Sequence, residues 1–369
     1  MGHFLTARAT KMQVEEFGIG IPPHAKTLGH DKKWTKYTLN WLPIGWFVRI
    51  KWEDPLSEEA HEKDAFSSKK WWARSLVLVA WVTMNFLLAI VIFFGFFIIG
   101  TWPLGPNLII DKDYGSYMLP SFDASIKSGY LTHSGLTLTP LSGSIAMTAG
   151  ILPGDNLISI DARPVDDIDT LKDILSDNVS HIFIVSGTWG ERQVTLTPVD
   201  KKVWVRLDYK NLDINQSYHR NFTISEAIGQ SLSETYALSH MTFDVLVSTL
   251  RKLISPATPT ERKEATEMLS GPIGIGSTFT EVVAVGVTWK ILFSIIALLS
   301  INLWVLNILP FPALDGGRLL STTARSIIGL FYHKTRTLDK IEYFIHAFGM
   351  VLLLAVSLVI ALLDIYKLF

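Results

Sequence analysis

Three stretches of this chain carry no Lys, Arg, Asp or Glu over a length that crosses a bilayer: Ser75–Gly100, Ile291–Leu314 and Tyr343–Leu363. About 20 apolar residues of helix span the hydrocarbon core, whereas a soluble core helix of that length keeps a charged face. The three therefore read as transmembrane helices, and the lipid bilayer is the first partner the sequence implies. Composition agrees, since 49% of the 369 residues are hydrophobic and only 18% charged, more apolar than a soluble core requires. Lys and Arg number 33 against 34 Asp and Glu, a balance that excludes the basic footprint of a nucleic-acid binder. With no cysteine, disulfides, thiol nucleophiles and thiolate metal sites are excluded, so any metal must be held by His, Asp or Glu.

Cations set the orientation. Lys63, Lys69, Lys70 and Arg74 precede the first span, and Arg318, Arg325, Lys334, Arg336 and Lys340 fill the loop between the second and third. Both sets are expected on the cytoplasmic side, which places residues 103–286 outside the cytoplasm.

That outer region contains a compact module. A turn at Pro153-Gly154-Asp155 feeds a strand marked by Leu157, Ile158 and Ile160. A helix follows with Val165, Ile168, Leu171, Ile174 and Leu175 at helical spacing and Asp166 or Asp167 as its cap. Strands at His181–Ser186 and Gln193–Thr197 complete it. The run AGILPGDNLISIDARPV resembles PDZ domains of the bacterial protease type; another small α/β module is the alternative. Beyond it, Thr223 and Glu226 form a capping box that opens a helix to about Ile254. Its stripe of Ile228, Leu232, Tyr236, Phe243, Leu246 and Leu250 fits a membrane surface, a partner or a core. Residues 255–266 read as a polar linker.

Asp315 closes the apolar run of the second span, where a carboxylate costs about 2.5–3.5 kcal/mol at mid-bilayer. A solvated helix-end Asp is the simplest reading, but its context argues otherwise. Pro310 and Pro312 remove backbone donors, and broken backbone at membrane depth is tolerated only where it lines a cavity or is buried in protein. Asn302 and Asn307 add amide groups to the same segment. A polar cavity follows, and zinc would compensate the carboxylate. A complete H-E-x-x-H motif, which puts two imidazoles on one helical face beside a general base, does not occur in the 369 residues: the pair His61-Glu62 is followed by Ala65.

The amino-terminal residues supply a partial one. Met1-Gly2-His3-Phe4-Leu5-Thr6-Ala7-Arg8, continuing through Val14-Glu15-Glu16-Phe17-Gly18-Ile19-Gly20, resembles the site-2 protease family of intramembrane zinc metalloproteases, whose helix reads H-E-x-G-H-F-x-x-A-R and runs on to V-x-E-F-x-I-G. His3 matches the second histidine. The resemblance continues in order through Tyr37–Arg49, similar to the family's membrane-associated strand segment, and Met84-Asn85-Phe86-Leu87, with Ala80-Trp81 where an Ala-Gly pair is usual. It then runs through the PDZ-like module, Leu269–Ile275, and Asn307–Gly317, similar to N-x-x-P-x-P-x-x-D-G-G.

The resemblance implies a multi-pass α-helical membrane protein with an inserted extracytoplasmic PDZ-like α/β module, in a bacterial inner membrane with its active site toward the cytoplasm. It implies Zn2+ held by His3 and Asp315, Asn307 near the scissile carbonyl, and Asn302, Tyr37, Leu39 and Asn40 in contact with membrane protein substrates. The first histidine and the general-base glutamate would fall immediately before residue 1, so the complete protein is expected to carry a further apolar helix ending in His-Glu, and the chain as given to be inactive. A catalytically inactive scaffold that binds partners through the module is the alternative, and a transporter using the broken helix explains the prolines but not the module. The division expected is 1–20, remainder of the zinc-motif helix; 21–74, strand segment and loop; 75–102, first span; and 103–286, outer region with the module at about 126–200 and the amphipathic helix at about 223–254. The rest is 287–315, second span with its motif; 316–340, cytoplasmic loop; and 341–364, third span.

Overall fold

The computed structural model describes residues 2–32, 34–51, 64–66, 68–100, 110, 112–177, 179–199, 203–215, 217–269, 289–329 and 335–368. The pair His61-Glu62, Lys63, Ser270–Ile275, His333 and Lys334 lie outside the described residues. Two compact units form, one of Met1–Thr101, Tyr114–Ser116 and Asn221–Phe369, the other of Trp102–Asp113 and Tyr117–Arg220.

The first unit opens with helix α1 (Gly2–Ala9). Thr6 and Thr10 donate their hydroxyls back to the carbonyls of Gly2 and Thr6 at 2.8 and 2.7 Å, and Lys11 ends the helix in a left-handed conformation (φ 57°). The expectation of helix through residue 20 is thereby corrected: Val14–His30 is strand β1. Gly18, Gly20 and the Pro22-Pro23 pair disfavour helix, while Val14, Phe17 and Ile19 suit a half-buried strand.

β1 pairs with β2 (Lys36–Ile50). Both strands fold back, so residues 16–19 have partners on two sides: Phe17 and Gly18 pair with Val48 and Phe47 on one side and with Tyr37 and Thr38 on the other. Tyr37, Thr38 and Leu39 are likewise flanked twice, pairing again with Gly29, Thr27 and Lys26. Residues 24–30 and 47–50 are left as the outer rows. Beneath this sheet a core of Ala7, Met12, Val14, Ile50, Ala73, Val77 and Leu78 joins α1 and the sheet to α2 (Trp71–Ile99), the first long apolar helix.

The second unit follows as α3 (Phe122–Ser128), β3 (Leu131–Thr132), β4 (Leu136–Pro140), α4 (Ile145–Ala149), β5 (Asp155–Ile160), β6 (Arg163–Pro164), α5 (Ile168–Ile174), β7 (His181–Gly187), β8 (Gly190–Leu196), β9 (Val205–Tyr209) and β10 (Asp213–Ile214). Its main sheet is antiparallel in the order β8-β7-β5-β4-β9, with β6 on β5. Leu136, Leu138, Ile160, Phe183 and Val185 fill the core. Asp167 caps α5 by accepting the N–H of Thr170 at 2.7 Å. Buried Asp155 accepts the N–H of Leu152 and pairs with Arg192.

The chain returns to the first unit with α6 (Ile224–Ile254), opened by the Thr223/Glu226 capping box. The expected linker at 255–266 instead holds α7 (Pro259–Met268), because Thr258 caps it and Pro259 sits in its first turn. Then come α8 (Trp289–Ile308), α9 (Asp315–Ile328) and α10 (Thr335–Leu368). Trp71–Ile99, Trp289–Ile308 and Lys340–Lys367 are each long and apolar enough to cross a membrane. Two expectations are corrected here. The second span is helical only to Ile308, since Pro310 and Pro312 stop it, and the loop expected from residue 316 is helix α9 to Ile328.

Candidate metal centre

His3 lies on the first turn of α1, and Gly2 lets that turn reach α2: a Cβ at Gly2 would collide with the backbone of Ala80 and Trp81. The imidazole stacks on the Trp81 indole, with centroids 5.7 Å apart and planes 18° from parallel. Nδ1 donates to the carbonyl of Val77 at 2.8 Å. That bond keeps the proton on Nδ1 and leaves the Nε2 lone pair free, the arrangement a metal-ligating histidine uses.

Asp315 arrives from the other end of the chain. After α8 the backbone turns through Leu309–Leu314, with Ala313 in the left-handed region (φ 77°), and re-enters helix at Asp315. The turn is tight enough to require both following glycines: a Cβ at Gly316 would strike the carbonyls of Ile308 and Leu309, and one at Gly317 the carbonyl of Phe311. A Cβ at Gly349 of α10 would meet Pro312 in the same way.

The turn is also tied by hydrogen bonds. Ala313 N–H donates to His346 Nδ1 at 3.0 Å, His346 Nε2 bonds the Ser321 hydroxyl at 3.1 Å, and that hydroxyl reaches Glu342 at 2.7 Å. Glu342 faces Arg325 at 3.8 Å. Nothing in the spacing of His346 announces this role; the strained Ala313 reveals it only in three dimensions.

These two constructions bring His3 Nε2 and Asp315 Oδ2 to 3.8 Å. The separation is long for a hydrogen bond but matches two ligands of one zinc ion, each about 2.0–2.2 Å from it. The pair is mostly buried, with the side chains 24% and 18% exposed. Among the described residues, no group of three or more His, Cys, Asp and Glu side chains is gathered to hold a metal.

The remaining candidates are placed differently. Asn307 lies half-buried on the last turn of α8. Asn302, a turn earlier, accepts a bond from Thr242 of α6 at 3.1 Å. Tyr37 packs on Phe17 and Phe4, at 5.9 and 6.4 Å between centroids, beside His3 on α1. Asn40 is buried and donates to the Gly20 carbonyl at 2.9 Å. The reading of Tyr37, Leu39 and Asn40 as a substrate-binding strand is corrected for the backbone: both sides of Tyr37 and Leu39 are already paired with β1, so an added strand has only the outer rows to join.

The model of peptidase family M50 matches residues 1–356. The chain belongs to peptidase family M50, the site-2 protease family. Over its whole length it is 30% identical to FN1322 of Fusobacterium nucleatum, which carries the zinc metalloprotease name and of which it covers 94%. It is 25% identical, again over all of this chain and 94% of the relative, to the zinc metalloprotease RasP of Geobacillus kaustophilus. The chloroplastic membrane metalloprotease ARASP2 of Arabidopsis thaliana is 25% identical over 89% of this chain and 68% of its own length. The protein is thus a zinc metalloprotease of the site-2 type and a membrane protein, with zinc as its metal.

Proposed function

We propose that the protein is an intramembrane endopeptidase that cleaves membrane-spanning proteins, with His3 and Asp315 as two of its zinc ligands. The observation that carries this reading is the 3.8 Å approach of His3 Nε2 and Asp315 Oδ2, residues 312 positions apart in sequence, with the Nδ1–Val77 bond orienting the imidazole. Zinc held there by His3 and Asp315 would polarise a carbonyl and lower the pKa of its water to about 7. His3 and Asp315 supply the position, and the Gly316-Gly317 turn and its tie to His346 hold the carboxylate. Asn307 is proposed to donate to the scissile carbonyl as charge develops on its oxygen.

A helical substrate hides its carbonyls and must unwind. The exposed segment then adds to an outer row of the β1–β2 sheet, residues 24–30 or 47–50, by main-chain hydrogen bonds. The second unit is read as a PDZ-like module outside the cytoplasm of a bacterial inner membrane, where it captures or excludes substrate ends.

The second reading is an inactive scaffold that binds partners through the PDZ-like module, since no group of three or more potential metal ligands is gathered among the described residues. The deciding experiment co-expresses a helical membrane reporter with the protein expressed from its native gene. Cleavage within the reporter helix, lost in Asp315→Asn, supports the protease; undiminished cleavage in Asp315→Asn contradicts it, and no cleavage by the unaltered protein favours the scaffold.

A further inference from the structure

α2 carries a single amide side chain, Asn85. Its Nδ2 is buried and has no hydrogen-bond partner among the described residues. Its neighbour Thr83, by contrast, returns its hydroxyl to the Val79 carbonyl at 2.9 Å. A buried donor without an acceptor is costly in any protein interior, and more so in a helix long and apolar enough to cross a membrane, because lipid chains accept no hydrogen bond. Such a group in a native fold calls for a partner.

The place of Asn85 on α2 says where that partner lies. Val77, Trp81 and Asn85 are four residues apart and share one side of the helix. The first two already hold His3, Val77 through its carbonyl and Trp81 through its ring. Asn85 therefore stands one turn beyond the metal ligand, about 6 Å further along the axis. α8 runs antiparallel alongside, with Phe86 on Trp304 at 5.0 Å and Phe96 on Trp289 at 5.9 Å between centroids, which sets Asn85 level with the last turns of α8, where Asn307 lies. Asn85 is also at the margin of the buried face: Val82 and Ala89 are covered, whereas Met84 and Leu88 are 37% and 41% exposed. A chain entering sideways from lipid reaches that margin.

We propose that Asn85 binds the main chain of the substrate. Its amide donates to a carbonyl of the unwound segment about two residues from the bond that is cut, since an extended chain rises about 3.3 Å per residue. The proposal rests on the cleavage of membrane-spanning proteins at His3 and Asp315. An intact helix satisfies its own carbonyls, whereas an unwound one in hydrocarbon leaves them bare; the lone donor and the freed acceptor complete each other. Asn85 thus favours the opened substrate over the helical one, and does so away from the reacting atoms.

Asn85→Leu keeps the size of the side chain and removes both polar atoms. The protein expressed from its native gene, unaltered and as Asn85→Leu, Asn85→Gln and Asp315→Asn, is reconstituted in phosphatidylcholine–phosphatidylglycerol vesicles with a helical membrane reporter at increasing reporter-to-lipid ratio. The expected result for Asn85→Leu is KM raised about tenfold with kcat within about twofold, zinc content as in the unaltered protein, and an unfolding midpoint unchanged or higher, because a buried unpaired donor has been removed. Asn85→Gln, which keeps the donor, is expected to recover part of the affinity. An unchanged KM in Asn85→Leu, with cleavage still lost in Asp315→Asn, overturns the inference and leaves the metal ligands standing; cleavage indifferent to Asp315→Asn overturns both. A lowered midpoint in Asn85→Leu overturns it as well, since it would assign the amide to the fold.

Discussion

The two units solve opposite solvent problems with the same chemistry. The sheet unit hides Leu136, Leu138, Ile160 and Phe183 completely or nearly so and, apart from the Asp155–Arg192 pair, places most of its charge outside, as a domain in water must. The helical unit buries Phe93, Phe97 and Ile301 too, but packs them among the small residues Ala89, Ala297, Ser294, Ser300 and Thr322 and leaves further large apolar side chains such as Val79, Leu88 and Val91 outward, as suits a protein whose solvent is hydrocarbon. In the first, stability comes from apolar burial. In the second, close backbone approach adds to it, and glycines 2, 316, 317 and 349 sit where any Cβ would collide.

The contrast exposes each unit to a different kind of substitution. The largest effect is expected in the sheet unit from Arg192→Met, which strips the cation from Asp155, a carboxylate only 2% exposed. Leaving such a charge unpaired costs about 3–5 kcal/mol, read as a lower unfolding midpoint; a midpoint unchanged by the substitution would break the claim that a buried ion pair secures this unit.

In the helical unit Gly317→Ala is expected to displace Asp315, and a shift of about 1 Å at a reacting centre costs roughly 10²-fold in activity. The check is the reporter-cleavage rate alongside a folding assay, because retained rate would show the turn to be slack. A smaller loss, about tenfold, is expected from Trp81→Ala, which removes the stack that supports the His3 ring; it should appear in cleavage rate and zinc affinity together.

The smallest effect concerns His181. Burial opposes its charge, but the bonded carboxylates of Asp161 and Asp177 outweigh burial and raise its pKa above the ordinary 6.5. Both carboxylates are lowered, Asp161 first by its bond to His181 and Asp177 first by the N–H of Val179. The raised histidine stabilises fully below its unfolded pKa and loses that contribution as pH rises through the folded value. The lowered carboxylates contribute above their unfolded pKa and lose it as pH falls through their folded values. The triad therefore stabilises most between about pH 4 and pH 6.5. Thermal unfolding from about pH 5 to about pH 8 should show a decline in the sheet unit that is absent in His181→Asn.

What the sequence disclosed follows the same division. Local signals read well: the Thr223 cap placed the start of α6 at its residue, Pro153-Gly154-Asp155 placed β5, and three charge-free runs located the apolar helices. Residues whose meaning depends on distant backbone did not read. The double pairing of Tyr37 and Leu39 comes from β1 folding back on itself, and the anchoring role of His346 depends on an amide 33 residues away. The apolar run of the second span continues six residues past the end of its helix at Ile308, because hydropathy alone sets no end where Pro310 and Pro312 break the backbone. At the site, residue types and a motif matched to a family pointed to His3 and Asp315, but Val77 and Trp81, which orient the imidazole, carry no sequence mark.

Zinc content tests the central claim most directly. Protein expressed from its native gene is purified unaltered and as His3→Ala and Asp315→Ala, and metal is counted by mass spectrometry. About one zinc per chain in the unaltered protein, falling to background in both variants, is the expected result. Zinc retained undiminished by both variants would contradict the assignment of these two side chains to one ion.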